Sequence, residues 1–225
     1  MWCVPEITHE FIERMEDVLK LLARSYSPRE PVICLDERPV VLHDDARLGI
    51  PMRPGRIARI DYEYVRYGTA NVFCIVEPIT GQRLTFATAN RKAPAFVMAL
   101  QKIARRYKSA RRIHLVMDNL NIHAQSSSIA VLGELEGRRL WKRFTVHHTP
   151  KHARWLNPAE IEASLVSREC LGRARISSLV ALISRVSAWR FSVEAEGRTI
   201  DWKYRVSDAR RTFRYDGLAT MRSEH

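Results

Sequence analysis

The chain has 225 residues, which at roughly 150 residues per domain leaves room for one large domain or two small ones. Hydrophobic residues make up 46% and charged residues 28%, which excludes a disordered chain, a collagen and a coiled coil. Lys and Arg total 37 against 25 acidic residues, a net charge of +12 with pI near 10.0, and that balance favours a polyanionic partner, most simply nucleic acid.

An Arg-rich genome would give the same excess without any such partner. No apolar run approaches the roughly 20 residues of a membrane span. Met1-Trp2-Cys3-Val4-Pro5-Glu6 has no basic stretch leading into an apolar one, so the expectation is a soluble, cytoplasmic protein with no membrane partner. Cys3, Cys34, Cys74 and Cys170 form no C-x-x-C pair and read as reduced, mostly buried thiols.

In chain order, Phe11, Ile12, Met15, Val18, Leu19 and Leu22 recur at helical spacing within 9–25, and Ser27-Pro28-Arg29-Glu30-Pro31 ends that helix. Val32-Ile33-Cys34-Leu35 is a short apolar run with the look of a buried strand, stopping at Asp36-Glu37. Residues 38–68 hold several Pro and Gly with little periodicity and read as an excursion. Asn71 to Val76 and Arg83 to Ala89 make a hairpin about the turn at 78–81. Pro94 opens a helix with Phe96, Val97, Leu100, Ile103 and Ala104 on one face. Ile113 to Met117 is a second short strand, stopping at Asp118-Asn119. Residues 124–137 read as a weakly patterned helix and Phe144 to His148 as a strand. Asn157 caps a helix begun by Pro158 and running to about Cys170, and a last helix spans Ile176 to Arg190. This alternation predicts a layered α/β domain with a mixed sheet behind an N-terminal helix.

Two of the predicted strands end in a carboxylate, at Leu35-Asp36 and Met117-Asp118. Strand ends open on the crevice where α/β folds place their sites, and paired acids there suit a hard cation. A polar residue also ends many strands with no further role. Asn157-Pro158-Ala159-Glu160-Ile161-Glu162 offers a third carboxylate at a helix start. Glu160 and Glu162 point apart on a helix, so one joins the site and the other is solvated or paired with Arg.

The chain resembles the DDE transposases of the Tc/mariner superfamily, in their bacterial insertion-sequence branch. The segments that carry the resemblance begin with Val32-Ile33-Cys34-Leu35-Asp36-Glu37, Arg53-Pro54-Gly55-Arg56, Asp61-Tyr62-Glu63-Tyr64 and Gly68-Thr69-Ala70-Asn71. They continue with Leu115-Val116-Met117-Asp118-Asn119-Leu120-Asn121-Ile122-His123, His148-Thr149-Pro150-Lys151-His152 and Trp155-Leu156-Asn157-Pro158-Ala159-Glu160. The resemblance implies an RNase H-like catalytic domain over 31–195, after a helical lead-in over 1–30 and before a basic tail over 196–225. It places the three acids on Asp36, Asp118 and Glu160, choosing Glu160 over Glu162. These would hold two Mg²⁺ ions, with Mn²⁺ substituting, about 3.5–4 Å apart as in other two-metal sites. The implied activity is cleavage at transposon ends and joining of the freed ends to target DNA, with a homodimer as a candidate assembly and no small-molecule substrate. Asn119 is a candidate donor to orient Asp118.

Basic residues cluster in three places. Lys102, Arg105, Arg106, Lys108, Arg111 and Arg112 form the first, and Arg138, Arg139, Lys142 and Arg143 the second; the tail is the third. With Lys151, Arg105, Arg106, Arg111, Arg112 and the second cluster are the candidate phosphate contacts. His147, His148 and His152 match no zinc spacing, and Trp155 and Trp202 read as packing residues. No helix-turn-helix module precedes the lead-in helix, where family members carry one, so a truncated transposase is expected. Two readings compete with it: a DNA-binding remnant that regulates a full-length transposase, and another RNase H-like nuclease.

Overall fold

The computed structural model describes residues 7–215 except Leu48, Ile60, Asp61 and Asn121. Cys3, the Asp61 and Asn121 positions of the resemblance and the tail beyond Tyr215 therefore lie outside the described residues.

The first helix, α1 (His9–Leu22), is capped by Thr8, whose Oγ1 accepts a hydrogen bond from the Phe11 N–H at 3.2 Å. Phe11, Ile12, Met15, Val18 and Leu19 are buried along one side of it, as the spacing predicts. The remaining elements are β1 (Val32–Asp45), β2 (Tyr64–Val76), β3 (Phe86–Thr88), α2 (Ala93–Arg106), β4 (Ile113–Met117), α3 (Gln125–Leu132), α4 (Glu134–Trp141), β5 (Phe144–His148), α5 (Ala159–Leu165), α6 (Leu179–Ala195) and α7 (Val206–Phe213). The strands form one sheet in the order β3-β2-β1-β4-β5. β1–β2 and β2–β3 are antiparallel, and β1–β4 and β4–β5 are parallel, giving the mixed sheet expected.

Strand alternation assigns the two faces. Ile33, Leu35, Leu115 and Met117 pack with Phe96, Leu100 and Ile103 of α2. Val32, Cys34 and Val116 pack on the opposite face with Met15 and Leu19 of α1. Asp36 follows Cys34 on the α1 face, and Glu37 falls on the α2 face. No described helix is long and apolar enough to cross a membrane.

Several stretches differ from the sequence reading, among them β2, which begins at Tyr64 rather than Asn71, and the last predicted helix, which runs Leu179–Ala195. β1 does not stop at Asp36 but runs on to Asp45, paired with β2 down to Asp45↔Tyr64. Buried Val40 and Leu42 flank exposed Val41, and this alternation packs against Val72, Leu182 and Val186. Pro39 is accommodated because β4 pairs with β1 only from Val32 to Cys34, leaving an edge beyond. The 83–89 strand shrinks to Phe86–Thr88. The single helix of 124–137 is two, broken at Gly133, whose φ of 82° suits glycine. After α5 the chain passes into a π-helical turn, Val166–Leu171.

The segment after residue 196 is more than a basic extension. Trp202, Tyr204 and Phe213 pack against the α1 core, and Arg210 and Lys20 pair with buried Glu16 at 3.0 and 2.8 Å.

Candidate active site

β1 and β4 run side by side only as far as Cys34↔Val116. Beyond that pair β1 continues with β2 while β4 ends, so the strands part at Asp36 and Asp118 and open a crevice at the carboxyl end of β4. Asn157 sets the third element. Its Nδ2 donates to the Leu35 carbonyl at 2.8 Å, and its Oδ1 accepts from the Ala159 N–H at 3.1 Å. One buried side chain thus caps α5 and ties it to the residue preceding Asp36. Glu160, in the first turn of α5, enters the crevice from there. Asp36, Asp118 and Glu160 line one cavity of about 580 Å³, together with Arg38, Arg91 and Arg154.

The acids occupy unequal environments. Asp36 is 5% exposed; burial, then the facing Glu160, push its carboxyl up to about 7, against the Glu37 N–H and Arg154, which favour the anion. Arg154 Nη2 donates to both Asp36 oxygens at 3.0 and 3.2 Å, and its Nε lies 2.7 Å from Glu160 Oε1. One guanidinium therefore spans the two carboxylates.

Asp118 has a different partner. His123 Nδ1 lies 2.7 Å from Asp118 Oδ1, and its Nε2 lies 2.9 Å from Glu37 Oε1. Burial alone would raise Asp118, but the imidazole outweighs it and holds the carboxyl below its ordinary value. Burial alone would lower His123; the two carboxylates outweigh that and push it up to about 9, so the ring is an imidazolium between two anions. The ring also packs on Phe96, with centroids 4.6 Å apart. Sequence reasoning missed this role. The available signal was a histidine five residues after the second acid, opposite a glutamate adjoining the first. Asn119, the residue singled out instead, is exposed and makes no hydrogen bond to Asp118 among those described.

Glu160 and Glu162 both pair with an arginine, but Glu162 does so away from the cavity. It is fully buried, accepting from Arg83 Nε at 2.9 Å and from Thr85 Oγ1 at 3.0 Å, which locks α5 to the segment leading into β3. His147 bridges Asp17 and His114 on the α1 face. His148 Nδ1 lies 3.3 Å from the Asp118 carbonyl oxygen, and His152 is exposed at φ 62°. Trp155 packs on Tyr204 and Phe213, and Cys34, Cys74 and Cys170 are buried thiols.

Most of the candidate phosphate contacts stand away from the acids. Arg111 and Arg112 precede β4, Lys142 and Arg143 precede β5, and Arg105 and Arg106 end α2. A five-residue strand at about 3.3 Å per residue separates that end of the sheet from Asp118. Arg143 caps the carbonyls of Tyr107 and Ala110, while Arg138 and Arg139 pair with Glu134 and Glu136. Lys151 is exposed after β5, at the site end. The cations that line the cavity, Arg38, Arg91 and Arg154, lie outside every cluster noted in the sequence.

A hard divalent cation fits this donor set, which is all carboxylate oxygen. The cavity already holds a cation in the form of Arg154, and the buried Asp118 Oδ1 has no aligned hydrogen bond despite its short ionic contact. Among the described residues, no three His, Cys, Asp or Glu side chains converge closely enough to hold one ion. The acids are therefore poised around the cavity with Arg154 between two of them.

A mixed five-stranded sheet with one acid within β1, a second just past the end of β4 and a third on an adjoining helix defines the RNase H-like class. The chain belongs to the DDE superfamily of endonucleases, whose family profile matches residues 31–183. No curated protein sequence matches it. Its fold is similar to the crystal structure of the Mos1 mariner paired end complex with Mn, at TM-score 0.52 and 15% identity, over 100% of this chain and 66% of that one. The Mos1 strand transfer complex is similar at TM-score 0.52 and 16% identity, over 100% of this chain and 65% of that one. The chain thus spans just under two thirds of the length of these relatives.

Proposed function

We propose that this chain is the catalytic domain of a transposase of the Tc/mariner superfamily, in its bacterial insertion-sequence branch, cutting and joining DNA at insertion-sequence ends in the nucleoid. The observation that carries the reading is the meeting of Asp36, Asp118 and Glu160 in one cavity of a DDE-superfamily fold. In this reading the three acids hold two divalent ions, Mg²⁺ or in its place Mn²⁺. When bound, such ions supply charge neutralisation at phosphorus and a more acidic nucleophile for an in-line displacement.

The chain's own residues do the rest. Asn157 fixes the spacing of Glu160 from Asp36 through the Leu35 carbonyl. His123 keeps Asp118 ionised and aimed, with Glu37 behind it. Arg38 and Arg91, exposed at the rim, present guanidinium forks to phosphate oxygens. The substrates are the element's ends and the target duplex, and two chains acting as a homodimer suit the handling of two ends together.

The test is nicking of supercoiled plasmid in Mg²⁺ or Mn²⁺, run beside the purified Asp118→Asn protein. Nicking by the wild type that vanishes in the variant is expected. Equal nicking by both overturns the assignment, and DNA binding without nicking by either favours the regulator over the enzyme.

A further inference from the structure

We propose that Arg154 is a tethered counter-cation that occupies the position between Asp36 and Glu160 and competes there with divalent metal; the inference rests on reading those acids as metal ligands. The guanidinium reaches both oxygens of Asp36, at 3.0 and 3.2 Å, and one of Glu160, at 2.7 Å. It therefore does what a metal ion would do for this pair, screening two carboxylates that otherwise face each other across a buried site.

The tether is firm and the head is not. Arg154 opens a 3-10 turn, Arg154–Leu156, flanked by buried Ala153 and Leu156 and followed by Asn157, which is bonded to β1. The backbone at 154 is thereby held beside the site. The Arg154 side chain is 58% exposed, so it leaves by rotating about its own bonds into solvent. A cation on so short a tether has a high effective concentration at the acids. Its contacts to them are charge-assisted hydrogen bonds, which incoming metal has to replace. The apparent metal affinity is then reduced by the fraction of molecules in which the acids are free of the guanidinium.

The proposal is read by Mn²⁺ binding to the DNA-free protein, followed through the electron paramagnetic resonance of free Mn²⁺. R154A is expected to bind about tenfold more tightly than wild type, as when the acids of wild type are free about one time in ten. R154K, which keeps the charge but loses the fork, should fall between. In EDTA, R154A should melt below wild type, and added Mn²⁺ should raise its Tm by more. Equal affinity of wild type and R154A, with binding lost in D36N, overturns the counter-cation and leaves the metal reading standing. Weaker binding by R154A overturns it as well. No binding by wild type, R154A or R154K, with circular dichroism intact, overturns both. R154Q carries the same test if R154A fails to fold.

Discussion

His123 reaches back five residues to set Asp118: its Nδ1 stands 2.7 Å from the Asp118 carboxylate while its other nitrogen is held by Glu37. Glu37 follows Asp36 on β1 and points to the opposite face of the sheet. Asp118 and Glu37 are therefore joined by the His123 ring, as Asp36 and Glu160 are joined by the Arg154 guanidinium.

His123→Ala should cost more than a contact. It leaves Asp118 without the group that aims it and Glu37 buried without its partner. Residues supporting metal ligands are worth 10- to 100-fold, and a loss of about that size is expected in Mn²⁺-dependent nicking. The stranded Glu37 should also lower stability by about 1–3 kcal/mol, read by denaturant titration. Adding Glu37→Gln should restore much of the stability and little of the activity. Recovery of both together would make His123 a packing residue only.

Glu160 and Glu162 separate by two different measurements. Glu160→Gln should abolish nicking with little change in stability; Asp118→Asn should abolish nicking too, and lower stability, because buried His123 loses one of its two carboxylate partners. Asp36→Asn should abolish nicking too, and it should stabilise the metal-free protein near neutral pH by removing the repulsion from Glu160. Glu162→Gln leaves Arg83 buried and uncompensated, which should cost about 3–5 kcal/mol by denaturant titration. Under conditions where that variant is folded, nicking should persist; loss of nicking in a fully folded Glu162→Gln protein would reverse the assignment.

Much of this site was legible because it lies where strong local signals meet. The uninterrupted apolar runs at Ile33 and Leu115 mark central strands, and Asp36 and Asp118 follow from where those runs end. Asn157-Pro158 marks the helix start that brings Glu160. His123, Arg154 and Arg38 were not legible in the same way, because their roles depend on which strand lies beside which. Glu37 meets His123 only because alternation turns it to the α2 face, and β4 is the strand adjoining β1. The length of β1 was obscured by Pro39, which reads as a breaker until β4 is seen to leave the strand as an edge. Where the basic clusters stand relative to the acids was not legible for a related reason. Their density in sequence is high, yet β4 and β5 carry their starts and their ends to opposite rims.

The α1 face supplies a pH dependence of its own. Arg24 Nη1 donates to His114 Nε2 at 3.0 Å, which leaves His114 Nδ1 to donate to His147 Nε2 at 2.9 Å and His147 Nδ1 to donate to Asp17 at 2.6 Å. A proton on His114 Nε2 would point at the Arg24 guanidinium. Burial, then the neighbouring His147 and Arg24, hold His114 below its ordinary 6.5. The unfolded chain therefore binds this proton first as pH falls. The stability contributed by neutral His114 is present above about pH 6.5 and lost below it. Other groups titrate in the same range, so the comparison is between wild type and His114→Asn. Denaturation midpoints at about pH 7.5 and about pH 5 should differ less in the variant; an unchanged difference would remove His114 from the account.

The cations at the cavity and those at the far end of the sheet should differ in what they do to DNA. Arg38 and Arg91 line the cavity that holds the acids, whereas Arg111 and Arg112 precede β4 on the opposite rim. A phosphate contact releases counterions, and each one lost reduces the slope of log affinity against log salt by about 1. Arg38→Ala with Arg91→Ala should therefore weaken duplex binding, lower that slope by about 2 and depress nicking. Arg111→Ala with Arg112→Ala should leave nicking unchanged at low salt. Fluorescence anisotropy on a labelled duplex over a salt series, beside the plasmid assay, separates the pairs. If the far pair carries the salt slope and the rim pair does not, the duplex lies across the base of the sheet, and the acids could not reach its phosphates.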